Sequence, residues 1–383
     1  MPHFLLSRLF FLFFFLFTAS SYAMSAQSAP APVLAAKSWI LVEQATGQVL
    51  AANDPDSRVE PASLTKLMTA YLTFAALKSG KVTEGQLVQV STAAWKQEGS
   101  RMFIEPQTPV AVGDLIRGVI VHSGNDACIA LAELLGGNEK GFVEMMNREA
   151  KRLSMKNTHF MNPTGLPQSE HYSTARDLSI LASAIIRDFP EYYSLYSVKS
   201  FTYNRITQPN RNRMLYIDPT VDGMKTGQTK DAGFCIVGSA LRGSRRLVSV
   251  VLGASSDNAR AQESLKLLNY GFQSHSMMRI YAADQHLSEF KVWKGAEKLV
   301  GVGFTQDFIM SLPRGKESKI EPVLESRQPV LAPLARGQEI GTLKLTVDGE
   351  LYGSFPVVVL SDVPEGGFFE RMRDALVLWF KNL

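Results

Sequence analysis

Ser63 and Lys66 stand three residues apart in "PASLTKLMTAYL" (61–72), where an apolar run begins. Three residues of helix put both side chains on one face, the amine over the hydroxyl. A serine hydroxyl is a weak nucleophile until its proton is removed as the new bond forms. A lysine can take that proton when burial or a neighbouring cation lowers its pKa. The pair also reads as a helix-capping serine followed by a solvated lysine. The same spacing recurs at Ser288 and Lys291 in "SEFK", so the motif alone does not decide.

Two further patterns carry compatible chemistry. "HSGND" puts Ser123 and Asn125 at a break between two helical stretches, where side chains can project into a cleft. A hydroxyl there can relay a proton between Lys66 and a leaving nitrogen. An amide can hold a peptide carbonyl and also hydrogen-bond the lysine. Ser-Gly-Asn is equally a common turn, and "SDN" at Ser256 to Asn258 repeats its form. "MKTGQT" offers Lys225 and Thr226 from a strand, a charge and a hydroxyl suited to a carboxylate. Gly227 is expected to let a ligand backbone approach closely. Lys-Thr-Gly occurs once in the chain, and both look-alike motifs follow it. Order therefore selects Ser63–Lys66, then Ser123–Asn125, then Lys225–Gly227, a triple shared by class A β-lactamases and penicillin-binding proteins.

The elements that must position these groups are legible around them. "SWILVEQATGQVLAAND" reads as two strands about an Ala-Thr-Gly turn. Helical patterning runs from Val112 to Gly136, broken at Ser-Gly-Asn, and continues in "GFVEMMNREAKRLSM" and "STARDLSILASAIIRDFP". Strands return at "VDGMKTGQT", "AGFCIVGSAL" and "RRLVSVVLGA", the last two joined by a tight "RGS", before the helix "ARAQESLKLLNYGF". Strands at both ends of a helical middle imply one antiparallel sheet beside a helical lobe, an α+β fold. From Leu287 to Val363 the alternation of "EFKVW", "KLVGVGF", "GTLKLTV" and "GSFPVVVL" predicts a small all-β domain.

The 383 residues, 45% of them hydrophobic, suffice for a large core and a further domain. The opening "MPHFLLSRLFFLFFFLFTASSYA" has the order of a secretory signal cleaved after Ala23, the rival being an uncleaved anchor. Lys and Arg number 40 against 36 acids, a balance that gives no case for nucleic acid. Cys128 and Cys235 sit in apolar runs and are expected to be buried free thiols. Cysteines and histidines lack metal-ligand spacing, so no metal or other cofactor is implied. At the C-terminus, Phe368, Phe369, Met372, Ala375, Leu376, Trp379, Phe380 and Leu383 share one helical face. At about 1.5 Å per residue, a helix over 368–383 reaches about 24 Å, short of a roughly 30 Å hydrocarbon core. It suits a membrane surface, or packing on the β domain.

With those motifs in hand, the chain resembles the low-molecular-mass penicillin-binding proteins that act as D-alanyl-D-alanine carboxypeptidases. "HSGNDACIALAE", "MKNTHF", "YSTARDLSILASAIIRD", "NRNRMLY", "VDGMKTGQT" and "VPEGGFFERM" carry the likeness in order along the mature chain. The resemblance implies a penicillin-binding-protein/β-lactamase-like catalytic domain, a five-stranded antiparallel sheet with a helical lobe. The expected division is a signal at 1–23, a linker at 24–36, and a catalytic domain at 37–284. A β-rich domain at 285–363 and an amphipathic membrane-anchoring helix at 364–383 follow. It implies Ser63 as acylated nucleophile, Lys66 as its base, and Ser123 and Asn125 lining the cleft opposite Lys225, Thr226 and Gly227. Backbone N–H groups of Ser63 and Gln228 would form the oxyanion hole, Arg260 would help hold the substrate carboxylate, and Arg211 would add charge near the cleft. Gln228 and Thr164 stand where some members carry histidine. The implied partners are peptidoglycan stem peptides ending in D-Ala-D-Ala, β-lactams and the outer face of the cytoplasmic membrane, with a role in cell-wall maturation and cell shape. Three alternatives stay open at this point: a DD-endopeptidase, a weakly active cell-wall scaffold, and a class A β-lactamase. The last needs a glutamate to activate water, and only Glu170 lies in the corresponding loop.

Overall fold

In the computed structural model the described residues are 30–381 except 327, so the expected signal at 1–23 lies outside them. The central sheet is built from β1 (Ser38–Glu43), β2 (Val49–Asn53), β3 (Val221–Thr229), β4 (Gly233–Arg242) and β5 (Arg245–Ala254). Their order is β2-β1-β5-β4-β3, with every neighbouring pair antiparallel. The β1–β2 turn uses Gly47 at φ +70°, and the tight β4–β5 hairpin uses Gly243 at φ +61°. Both are conformations that a Cβ disfavours. β1 is buried throughout, and its alternation feeds two cores. Ile40 and Val42 face the helical lobe, while Trp39 and Leu41 pack with Leu265 and Leu268 of the helix behind the sheet.

The lobe contains α1 (Lys66–Lys78), α2 (Val112–Arg117), α3 (Asn125–Gly136), α4 (Glu139–Arg152) and α5 (Ala175–Asp188). α1 is apolar on nearly every side and is accordingly buried at the centre of the lobe. Between α2 and α3 the chain widens at Gly118–His122, where the N–H of Ser123 reaches back to Gly118 O. The N–H of Gly124 shares that carbonyl at 3.0 Å, and Ser123 itself is left-handed at φ +60°. Such wide turns are frequent at functional sites. Behind the sheet, α6 (Asp257–Ser274) begins at Ser256, whose hydroxyl accepts from Ala259 N–H at 3.0 Å. The "SDN" look-alike is therefore a helix cap.

The β-rich module begins earlier than the expected boundary at 284/285. β6 (His275–Tyr281) already pairs with β9 (Phe308–Pro313), because the alternation of "HSMMRIY" takes over once α6 ends at Ser274. A six-stranded sheet follows, formed by β7 (Ser288–Trp293), β8 (Leu299–Gly303), β10 (Ile320–Ser326), β11 (Val330–Leu331), β12 (Glu339–Val347) and β13 (Glu350–Val359). Val292, Val302, Leu343 and Val359 are among its core. The "SEFK" look-alike is part of β7, with Lys291 Nζ 4.0 Å above the Trp293 ring.

Two polar joints fix the modules. The Gln48 side-chain amide accepts from Ser311 N–H at 2.9 Å and donates to Ser311 O at 2.8 Å, pairing as a neighbouring strand would. Nearby, Arg245 bridges buried Glu43 at 2.8 Å and Ser311 Oγ at 2.9 Å. The C-terminal α7 (Phe368–Lys381) is held by its polar side. Asp374 accepts from Lys294 N–H at 2.7 Å and Lys298 pairs with Glu370 at 3.3 Å. Phe368, Phe369, Trp379 and Phe380 face outward, 60–78% exposed. The Pro-Glu-Gly-Gly link reads in the sequence as a flexible tether, yet it is fastened. Gly366 N–H bonds Lys294 O at 2.8 Å and Ala296 N–H bonds Pro364 O at 2.9 Å. Among the described residues no helix is long and apolar enough to cross a membrane.

Candidate active site

The nucleophile candidate lies on a single tight turn, Ala62–Thr65, that runs directly into α1. In such a turn residues three apart nearly eclipse, so Lys66 falls over Ser63, with Nζ 3.0 Å from Oγ. Ser63 caps no helix through its side chain, which removes the capping reading. Lys66 is buried, and its amine also reaches Asn125 Oδ1 at 2.7 Å and Thr164 O at 2.6 Å. Burial lowers its pKa to about 8, and the field of Arg211 works in the same direction. A neutral amine has two N–H bonds. With both given to the two carbonyl oxygens, its lone pair is left for the Ser63 hydroxyl.

Ser123 and Asn125 arrive from the α2–α3 break. The Ser123 hydroxyl accepts from Lys225 Nζ at 3.0 Å; among the described residues Lys66 makes no bond to it. Asn125 donates one amide N–H to Glu98 O at 2.6 Å while its oxygen holds Lys66. Lys225 is buried on β3, and burial pushes its pKa well down, helped by the nearby charge of Lys66. Thr226 is buried beside it with a hydroxyl that takes no partner among the described residues, and Gln228 is exposed at the strand's end.

Gly227 also packs against the turn that carries Ser63. A Cβ there would lie 3.1 Å from Pro61 O and 3.2 Å from Leu64 N. The missing side chain lets the turn that carries Ser63 pack flat on β3. Arg260 reaches the same strand from behind, donating to Gly227 O at 2.9 Å and pairing with Asp257. It braces the strand while adding positive charge to the site. Arg211 is exposed, and its field lowers the pKa of both cleft lysines.

Sequence reasoning missed three supports. The buried Asp126 carboxylate accepts from Met102 N–H at 2.9 Å and Phe103 N–H at 2.8 Å. It thereby holds the loop whose Ser100 O takes Asn125 N–H at 2.7 Å. The available signal is an acid at the start of the apolar run of α3, next to Asn125. Thr164 contributes its carbonyl, while its side chain bonds within the loop to Asn162 at 2.9 Å. His171 is a lone histidine in the sequence, without a pattern to mark it. Its Nδ1 accepts from Met161 N–H at 3.1 Å, so Nε2 carries the proton and donates to Thr65 at 2.9 Å. Glu170 is exposed, its carbonyl bonded to His159, and among the described residues no carboxylate joins the hydrogen bonds of Ser63 and Lys66. Cys128 and Cys235 are buried free thiols.

A buried amine over a serine hydroxyl, with a second buried lysine reaching from the sheet to a serine of the helical lobe, is the arrangement of a serine acyl-transfer enzyme. Residues 24–256 match the D-alanyl-D-alanine carboxypeptidase family and 275–365 the penicillin-binding protein 5 C-terminal domain. D-alanyl-D-alanine carboxypeptidase DacC of Escherichia coli is 41% identical over 96% of this chain and 94% of its own. The crystal structure of penicillin-binding protein 5 from Haemophilus influenzae superposes with a TM-score of 0.83 at 42% identity, over 88% of this chain and all of that one. The ampicillin-bound penicillin-binding protein D2 of Listeria monocytogenes matches with a TM-score of 0.59 at 30% identity, over 64% of this chain. The chain belongs to the serine-type D-alanyl-D-alanine carboxypeptidase family.

Proposed function

We propose that Ser63 attacks the carbonyl of the penultimate D-Ala of a peptidoglycan stem peptide and that the terminal D-Ala leaves. Water then clears the ester. The observation that carries this is the Lys66 amine, spent on Asn125 and Thr164 except toward Ser63. Lys66 takes the Ser63 proton. Ser123 gives its own to the departing nitrogen and is resupplied by Lys225, whose Nζ donates to its hydroxyl at 3.0 Å. Lys225 and Thr226 receive the terminal carboxylate, Arg260 braces their strand, and the backbone N–H groups of Ser63 and Gln228 bind the oxyanion. Release of D-Ala from a D-Ala-D-Ala pentapeptide is the test, with a cross-linked peptide alongside to measure endopeptidase action. Ser63→Ala should abolish both; undiminished release by that variant overturns the reading.

A β-lactam presents a strained amide carbonyl and a carboxylate to the same groups, and should acylate Ser63. The supports for placement are the exposed aromatic face of α7 and the basic Arg371 and Arg373 near it. α7 lies along the outer surface of the cytoplasmic membrane, with the catalytic module in the periplasm. Truncation after Gly366 should release the protein to the soluble fraction with small-peptide turnover intact. A truncated protein that stays with membranes overturns the anchor.

A further inference from the structure

Where α7 meets the β-rich module, Lys294, Leu331, Glu365, Phe368, Arg371 and Met372 line most of a cavity of about 400 Å³. The Lys294 backbone is left-handed at φ +61° and pinned at both ends, its N–H given to Asp374 and its C=O to Gly366. Its ammonium has no ion-pair partner among the described residues. Arg371 pairs with Glu365, and a guanidinium has further N–H donors to spend. The three charged residues sum to one positive charge. The remaining wall is apolar and open to solvent: Leu331 is 43%, Met372 48% and Phe368 66% exposed. Phe368 and Met372 continue into the outward face of α7.

We propose that this cavity binds the phosphodiester headgroup of an anionic glycerophospholipid between Lys294 and Arg371, with the acyl chains running past Phe368 and Met372. One net positive charge matches one phosphodiester, and the apolar wall joins the face proposed to enter the bilayer. A free phosphate would use only the charged half of this lining. The proposal rests on the membrane reading of α7 and adds to it a site shared with the β-rich module.

The test uses the full mature chain. Dihexanoylphosphatidylglycerol is titrated below its micelle concentration while the backbone amide signals of Gly295 and Gly366 are followed. Dihexanoylphosphatidylcholine and inorganic phosphate are run in parallel. Saturable shifts are expected with the anionic lipid alone. Lys294→Gln should weaken that binding about fivefold or more and leave D-Ala release unchanged. On vesicles of phosphatidylcholine with and without phosphatidylglycerol, Lys294→Gln should lose the anionic preference. Arg373→Gln, an equal loss of charge on α7, should keep it. Equal losses in the two variants would mean diffuse attraction and overturn the site, as would equal binding of inorganic phosphate. Failure of the full chain to bind any vesicle overturns the membrane reading. Vesicle binding without lipid-induced shifts at Gly295 overturns this proposal alone.

Discussion

The imidazole of His171 donates to the hydroxyl of Thr65 across 2.9 Å, joining the loop that supplies Thr164 to the turn that carries Ser63. Burial holds its pKa down to about 4. The unfolded chain binds a proton near pH 6.5 and the folded chain only near 4, so stability is lost as pH falls through that window. The shift corresponds to about 3 kcal/mol. Chemical denaturation at pH 7 and 4.5 should reveal a loss that shrinks in His171→Leu. That variant should be less stable at pH 7 by roughly 1–3 kcal/mol, having orphaned Met161 N–H and Thr65. An unchanged acid dependence would remove His171 from this role.

Lys66 must be neutral to take a proton, and its pKa is lowered to about 8. Second-order acylation by a penicillin should therefore fall about tenfold per pH unit below 8. In the proposed reaction a charged Lys225 holds the carboxylate, so a decline at higher pH should complete a bell, whose limbs belong to the lysine pair. Arg211→Gln removes a positive field from Lys66 and should move the acid limb to higher pH. Movement to lower pH would contradict the electrostatics described here.

Acylation by penicillin should outlast many turnovers of peptide. Glu170 is on the surface, and among the described residues no carboxylate hydrogen-bonds Ser63 or Lys66. Intact-mass measurement should find one penicilloyl adduct per chain, absent in Ser63→Ala. Rapid multiple-turnover hydrolysis would point to a β-lactamase.

Asp126→Ala should cost about 3 kcal/mol or more, because it strands the buried N–H groups of Met102 and Ile104 and the part-buried one of Phe103. It should also slow acylation, since the loop it holds steadies Asn125. Asp126→Asn keeps acceptor capacity and should recover part of both. Acylation rate and denaturant midpoint, measured together, separate the two effects.

Gly165 has φ +84°, and a Cβ there would overlap the Ala62 carbonyl oxygen. Gly165→Ala should push the Thr164 carbonyl off Lys66 and lower the acylation rate at all pH values. A variant with normal acylation would show that the Thr164 contact is dispensable.

Much of this site is written in local pattern. Ser63–Lys66 and Lys225–Gly227 declare themselves through spacing and order, and the β1–β2 and β4–β5 turns through their glycines. The helix break at Ser123 is visible because Ser-Gly-Asn interrupts an apolar period. The partners that tune these groups are hidden for a physical reason. Thr164 acts through a carbonyl that every residue possesses, and His171 finds Thr65 only after more than a hundred positions of intervening chain have folded. The packing of Gly227 is hidden as well, because its missing Cβ faces the turn at Pro61 and Leu64, a neighbour that only tertiary structure supplies. The Gly-Gly before α7 suggests slack, yet Gly366 is pressed against Gly295, where a Cβ would sit 2.9 Å from its carbonyl oxygen.

The strand-like pairing of Gln48 with Ser311 bears on how far the enzyme can reach. Catalytic module, β-rich module and α7 are joined by directional bonds to backbone atoms, the construction of a strut and not of a slack tether. With α7 laid on a membrane, the mouth around Ser63 would stand at one height and one tilt above it. Stem peptides would then be sorted by altitude as well as by sequence, and those at other levels would pass untouched until the wall itself moved.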